Sequence, residues 1–165
     1  MPNQSVSYNT LRNNIVALLE TVSEVGQVHN RLRFANNWQT LLNMFKTDPP
    51  DGVGESLLLG WMLTRTDKTP LPEDGSFGRV YYLHHFQLQG IMAHSDEGDS
   101  EGAFQDLIDR ILLVLDADSA LLGGSNVQEG SGPATARLIE LRTFGTVLAH
   151  YAEIDFTVPT EETRA

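Results

Sequence analysis

The chain contains no cysteine among its 165 residues. Disulfides, thiolate metal sites and cysteine nucleophiles are therefore excluded. Basic residues are also scarce, since 11 lysines and arginines stand against 22 acidic residues and the net charge is -11. This sign is the opposite of the electrostatic footprint of a protein that grips nucleic-acid phosphates, so we expect no such binding.

Long apolar runs are lacking as well. The longest run, residues 57–63, is far shorter than the ~20 residues of a membrane-spanning helix. Residues 1–10 are polar and uncharged, without the basic and apolar regions of a secretory signal. We therefore expect a soluble protein with no membrane partner.

Motifs that mark common active sites are also missing. Gly123-Gly124-Ser125 lacks the spacing and the following Lys-Ser/Thr of a phosphate-binding loop. The patterns G-x-G-x-x-G, G-x-S-x-G and H-E-x-x-H do not occur. We predict that the chain is not an enzyme and has no catalytic residue, no cofactor and no metal ligand.

The sequence does have the composition of a globular protein, with 41% hydrophobic and 20% charged residues. Its length is typical of one domain with one core. We predict a single α+β domain over residues 1–160. Pro159 and the charged residues that follow it favour a short polar tail over residues 161–165.

Two long helices are predicted from apolar residues at helical spacing. The first begins near Ser7, a suitable N-cap, and extends to about residue 22. The second covers residues 100–116, after an acidic run that favours a helix amino terminus. A shorter helix over residues 36–45 ends at the prolines and glycine of residues 48–52. The apolar positions of the two long helices are Leu11, Ile15, Leu18, Leu19 and Val22, and Phe104, Leu107, Ile108, Ile111, Leu112 and Leu115.

Four strands are predicted from apolar runs and from alternation with a period of two. They cover residues 56–64, 79–92, 136–143 and 147–158, and the last two are separated at Gly145. Residues 64–78 form a long hairpin loop with Asp74-Gly75 as its tight point, and residues 122–133 form a glycine-rich loop. This order predicts an α+β fold, with two long helices packed on one face of a mainly antiparallel sheet.

Histidines and acidic residues are the candidates for metal chemistry. His84 and His85 point to opposite faces of their strand, so they cannot chelate one ion together. His84 and His150 either pair across neighbouring strands or are hydrogen-bonded structural residues. The acidic run 94–101 either supplies oxygen ligands, without EF-hand spacing, or caps a helix. If these residues were metal ligands, the chain would be a small metal-dependent hydrolase. We favour the alternative, in which the histidines are structural and the acidic run caps a helix.

The two long loops are the predicted sites of contact with other proteins, because loops commonly carry function. The alternative is that both loops are tolerated insertions. The predicted contact residues are Asp67, Lys68, Asp74, Gly75, Ser76, Gly123, Gly124, Ser125 and Asn126.

The order of these elements resembles that of the tail-terminator (tail-completion) proteins of long-tailed bacteriophages. Four segments carry the resemblance and together span most of the chain. They are the helix over residues 11–22, the strand RVYYLHHFQLQGIM at 79–92, the helix AFQDLIDRILLVL at 103–115 and the strand GTVLAHYAEIDFTV at 145–158. Residues 27–50 form a longer connection than the family pattern has.

The resemblance implies a virion protein of the tail and neck, assembled in the host cytoplasm. Such a protein forms a ring, typically of six copies, that stops polymerisation of the tail-tube protein and binds the head-closure or connector protein. DNA would pass through the central channel only as cargo. A different neck or tail component, such as a head-closure or tail-tube-like subunit, is the alternative.

The acidic excess has two interpretations in such a ring. Part of it would line the channel and keep the DNA duplex from adhering, or it would only maintain solubility. We expect the first.

Overall fold

The computed structural model describes residues 7–48, 52, 57–71, 78–117 and 133–163. These residues form an α+β fold, and this part of the prediction is confirmed. The elements in chain order are α1 (Tyr8–Leu19), β1 (Gln27–His29), α2 (Trp38–Met44), β2 (Lys46–Thr47), β3 (Leu57–Pro70), β4 (Arg79–Ala93), α3 (Ser100–Ala117), β5 (Thr135–Phe144) and β6 (Val147–Thr163).

The strands form one sheet in the order β1-β3-β4-β6-β5, with β2 also paired to β3. The sheet is mixed, because β1 runs parallel to β3 while β4, β5 and β6 pair antiparallel. Strands β3, β4 and β6 have 14, 15 and 17 residues. A typical strand has about 5–6 residues, so these three extend well past an ordinary core.

One face of the sheet, which we call the core face, carries Trp61, Leu88 and Ile154. These residues belong to a single apolar cluster that also contains the buried stripes of α1 and α3. The apolar positions predicted for the two helices are accordingly buried or packed against this cluster. The buried helical residues are Leu11, Ile15, Leu18 and Leu19 in α1 and Phe104, Leu107, Ile108, Ile111 and Leu115 in α3.

Trp61 is the largest fully buried side chain of the core face. Its indole stacks on Phe104 at 5.8 Å between ring centroids, and its Nε1 donates to the Val25 carbonyl oxygen at 3.0 Å. The ring lies over Gly90, where an added Cβ would come within 2.2 Å of the indole. Gly90 is therefore required by the close approach of the indole to the backbone of β4.

The opposite face of the sheet carries a second, smaller apolar cluster made by Phe45, Ile91 and Tyr151. Phe45 follows α2, so this short helix and its C-cap cover the opposite face. A Cβ on Gly60 would meet the Phe45 ring at 2.4 Å. The sequence predicted α2 at nearly the correct position but not the face on which it lies.

Helix α1 starts where the sequence predicts, because the Ser7 side chain accepts a hydrogen bond from the Thr10 backbone N–H at 3.1 Å. It ends at Leu19, earlier than predicted. Glu24 and Gly26 have φ values of 60° and 83°, and these two left-handed residues turn the chain into β1. Strand β1 follows directly after this turn, at Gln27.

The predicted loop over residues 64–78 starts too early. Strand β3 continues to Pro70, so Asp67 and Lys68 lie in a strand opposite His85 and His84. The register shifts between Arg65 and Asp67, which is the signature of a bulge. A bulge interrupts the period of two, so the pattern alone does not show that the strand continues.

The remaining predicted contact residues lie outside the described part of the chain. These residues are Asp74, Gly75, Ser76, Gly123, Gly124, Ser125 and Asn126. Most of the glycine-rich loop predicted over residues 122–133 is outside it as well.

The predicted polar tail is wrong for residues 161–163, which belong to β6 and pair with residues 79–81 of β4. Strand β6 passes through Pro159, which lies opposite Leu83. The pairing of β5 to β6 ends at Asp155, so Pro159 has β4 as its one neighbouring strand in the described residues. Proline is tolerated in a strand with one free side, because only one row of backbone groups must be paired.

Candidate interaction surfaces

The structure does not bring His84 and His150 together. His84 lies opposite Val158, whereas His150 lies opposite Met92, eight residues further along β4. At ~3.3 Å per residue this separation is about 26 Å. The interpretation of these two histidines as one metal site is therefore wrong.

His84 is fully buried between two polar partners on the core face. Its Nδ1 accepts from Arg65 Nη1 at 3.3 Å, and its Nε2 donates to Thr160 Oγ1 at 2.8 Å. Burial, followed by the positive charges of Lys68 and Arg65, lowers the pKa of His84 to about 4. The imidazole is therefore neutral at pH 7 and links β3, β4 and β6 through fixed hydrogen bonds.

A partly buried ion pair lies next to this histidine. Lys68 Nζ donates to Glu162 Oε1 at 2.6 Å and lies 4.2 Å from the centre of the Tyr82 ring. Glu162 is 7% exposed, although it lies in the segment predicted to be a tail. Lys68, predicted to contact other proteins, instead connects β3 to β6.

His150 connects β6 to the amino terminus of α3 through a hydrogen bond to Ser100. Ser100 Oγ accepts from the Ser95 backbone N–H at 2.7 Å and is hydrogen-bonded to His150 Nε2 at 2.8 Å. Phe104 stacks on the same ring. Burial and the neighbouring His94 lower the pKa of His150.

A serine paired with a histidine is also the core of a nucleophilic site. Here the Ser100 side chain is 7% exposed and already bonded on both sides. Neither of the two cavities described below is lined by Ser100 or His150. The arrangement therefore supports a structural role for Ser100 and His150.

The acidic run before α3 includes a helix cap. Asp99 Oδ1 accepts from the Gly102 backbone N–H at 3.1 Å, and Glu101 lies in the first helical turn. The capping interpretation is therefore confirmed for Asp99. Across the described ranges, no three histidine, aspartate or glutamate side chains are grouped closely enough to hold a metal ion.

A polar cavity of about 560 Å³ lies on the opposite face, where β3, β4, β5 and β6 run side by side. Asp67 lines it together with His85 and Asp155. Arg137 Nη1 donates to Asp155 Oδ2 at 2.9 Å, and Gln87 Nε2 donates to Asp155 Oδ1 at 3.2 Å. The sequence thus identified one residue of this surface, Asp67, but assigned it to a loop.

A more apolar cavity of about 340 Å³ lies between β3 and α3. Leu59, Met92 and Leu107 form part of its wall, and Glu24 and Asp106 are among its polar residues. No local pattern in the sequence indicates this cavity, because its walls come from five separate segments of the chain.

Strand β5 is the last strand of the sheet and has β6 as its one neighbour among the described strands. Two large apolar side chains of β5 are exposed, Leu141 at 51% and Ile139 at 38%, and Leu148 of β6, opposite Thr143, is 42% exposed. Apolar side chains exposed on the edge strand of a sheet indicate a contact surface. The sequence predicted the strand but not its position at the edge.

Comparison with known proteins adds no relative. No protein-family model and no curated protein matches the chain. Within the described residues, no helix combines the length and apolar character needed to cross a membrane. Function must therefore be inferred from the fold and its surfaces.

Proposed function

We propose that the chain is a structural protein of a bacteriophage virion, a tail terminator that forms a ring at the top of the tail tube. The observation that carries this proposal is the open sheet. Strand β5 has one neighbour among the described strands, and β3 beyond Met62 is paired only with β4 among them. Open edges on both sides of a long sheet allow each copy to contact two others, as a closed ring requires.

The element order supports the same proposal. An opening helix, a long β3–β4 hairpin, helix α3 and a final hairpin follow one another as in the resemblance described above. In this assignment α1 and α3 form the helical layer on one face of the sheet.

The ring would stop tube polymerisation and leave a central channel for DNA. The net charge of -11 supports a channel wall that repels the phosphates of the passing duplex. The surface potential of the assembled ring tests this assignment. A negative lumen is expected, and a neutral or basic lumen would refute it.

A second candidate is another neck or tail component, such as a head-closure or tail-tube-like subunit. The same open edges favour it, since these proteins also assemble from repeated copies. The metal-dependent hydrolase has less support, because about 26 Å separates His84 from His150. We propose a non-enzymatic role without cofactor or metal.

Negative-stain microscopy and mass photometry of the purified chain, alone and with the tail-tube protein, test the proposed function. A closed six-fold ring around a central channel is expected. A chain that assembles only on the tail tube without closing a ring would favour the second candidate. A chain that contacts neither itself nor the tail tube at any concentration would contradict both.

A further inference from the structure

The hairpin that joins β5 to β6 determines which backbone groups of β5 point toward its free edge. Only Gly145 and Thr146 separate β5 from β6, and Phe144 lies opposite Val147. Residues that flank a two-residue loop form a hydrogen-bonded pair, and such pairs alternate along an antiparallel ladder. The N–H and C=O groups of Ile139, Leu141 and Thr143 therefore point away from β6.

A second β5 strand can bond to these groups in antiparallel orientation. If Leu141 lies opposite itself on a two-fold axis, Ile139 lies opposite Thr143 of the other copy. All three outward-pointing residues then form hydrogen-bonded pairs. The side chains of Leu141 and Ile139, exposed in the single chain, are covered in the pair.

The charged residues of β5 select this register. With Leu141 on the axis, Glu140 of each copy lies opposite Arg142 of the other, so opposite charges meet twice. A shift of the axis by one residue places Glu140 opposite Glu140, or Arg142 opposite Arg142. Like charges directly opposite are destabilising in a sheet, whereas opposite charges stabilise the pairing.

Glu140 and Arg142 lie on the same face of β5 and already form an ion pair within the chain. Arg142 Nε donates to Glu140 Oε1 within the chain at 2.8 Å, and the guanidinium lies 3.8 Å from the centre of the Tyr151 ring. In the paired sheet the two ion pairs form a ring of four alternating charges. Leu138 on the same side lies opposite Phe144 of the other copy, so an apolar contact flanks the charges.

We propose that β5 docks a second copy of this chain, strand to strand, about a two-fold axis at Leu141. The proposal goes beyond the ring function and does not depend on it. Because the pair occupies the β5 edge that a ring contact would use, it describes the free chain before ring assembly. A two-fold contact uses the same patch on both copies, whereas a ring contact uses two different patches. A free chain that stays monomeric but assembles into a ring on the tail tube would overturn only this proposal. A two-fold pair that never converts into a ring would overturn only the other.

Cysteine cross-linking tests the register, because the chain has no cysteine of its own. Leu141→Cys places two thiols in a directly opposed pair, with Cα atoms about 5.5 Å apart, within the range that a disulfide spans. Mild oxidation should convert most of this variant to a covalent dimer on a non-reducing gel. Its control is Ile139→Cys, whose two copies lie about 13 Å apart along the strand and cannot be bridged.

The double variant Ile139→Cys/Thr143→Cys should cross-link, because these positions face each other across the axis. A Leu141→Cys variant that stays monomeric, or an Ile139→Cys variant that cross-links equally well, would overturn the proposal.

Charge exchange tests the contact without a covalent bond. Glu140→Arg and Arg142→Glu should each weaken dimerisation about tenfold or more, because like charges then meet twice. An equimolar mixture of the two variants should form a one-to-one heterodimer, since arginine then faces glutamate at both pairs. Sedimentation velocity and native mass spectrometry measure both results.

The ion pair between Glu140 and Arg142 within one chain is lost in both variants. If these residues acted only within their own chain, mixing the two variants would not restore dimerisation. Circular dichroism confirms that each variant is folded. A mixture that stays monomeric under conditions where the unsubstituted chain dimerises would refute the contact, as would a chain that never dimerises.

Discussion

At the scale of single residues, buried polar side chains set the most specific constraints. His84 is neutral and bonded on both ring nitrogens, and Lys68 and Glu162 are paired beside it. A buried polar group that loses its partner costs about 1–3 kcal/mol, so each of these positions is sensitive to substitution.

Acid should weaken the fold through His84. Its pKa is about 4 in the folded chain and about 6.5 when unfolded, so the unfolded chain binds the proton first. The stability that neutral His84 provides is complete above pH 6.5 and is lost as the pH falls towards 4, by up to about 3 kcal/mol. Urea denaturation at a series of pH values measures this loss.

The matched variants for this prediction are His84→Gln and His85→Gln. The first should flatten the profile between pH 6.5 and 4, because the titrating group is removed. The second should keep the profile of the unsubstituted chain, because it leaves the bonds of His84 to Arg65 and Thr160 intact. Identical profiles for all three chains would disprove the assignment.

Gly90→Ala should destabilise the protein by about 2–3 kcal/mol, because the added methyl group overlaps the buried Trp61 ring. Thermal unfolding measures the effect. Gly98→Ala, at an exposed turn, is the control and should change stability by less than about 0.5 kcal/mol. Combining Gly90→Ala with Trp61→Leu should cost less than the sum of the two single changes, since the clash is removed.

At the scale of elements, apolar spacing predicted the helices and strands well, but their ends less well. The stripes of α1 and α3 and the alternation of β4 are local patterns. The continuation of β3 past the bulge and of β6 past Pro159 depends on the partner strand β4. The local sequence of β3 or β6 alone does not show that the strand continues past the bulge or past Pro159.

Deleting residues 160–165 should destabilise the chain by about 3 kcal/mol, because His84 and Lys68 lose Thr160 and Glu162 as partners. Deleting only residues 164–165 leaves the β4–β6 ladder complete and should change stability little. Chemical denaturation compares the two truncations. Equal stability of both would mean that residues 160–163 contribute nothing to stability, as expected for the polar tail predicted over residues 161–165.

At the scale of the whole molecule, the fold has a buried core face and long strands whose edges are open among the described residues. The resemblance to tail terminators remains a prediction, and the open edges support it because assembly needs surfaces of that kind. The acidic surface acts at the same scale, since charges of one sign repel across the entire fold.

Salt should therefore stabilise the isolated chain. At a net charge of -11, raising the ionic strength from ~0.01 M to ~0.15 M shortens the Debye length from ~30 Å to ~8 Å and screens the repulsion. An increase in melting temperature is expected in sodium chloride. An unchanged or lower melting temperature would show that attractive ion pairs outweigh the net repulsion.

The sequence alone determined the fold class, the apolar stripes of both long helices, the alternation of β4 and the absence of cysteine chemistry. Those features follow from composition and from the local period of helix and strand. Only the tertiary structure decided that His84 and His150 lie far apart, that Lys68 binds Glu162 and that β5 forms an edge. Lys68 and Glu162 are 94 residues apart in the chain, and a local pattern carries no information about which distant strands become neighbours.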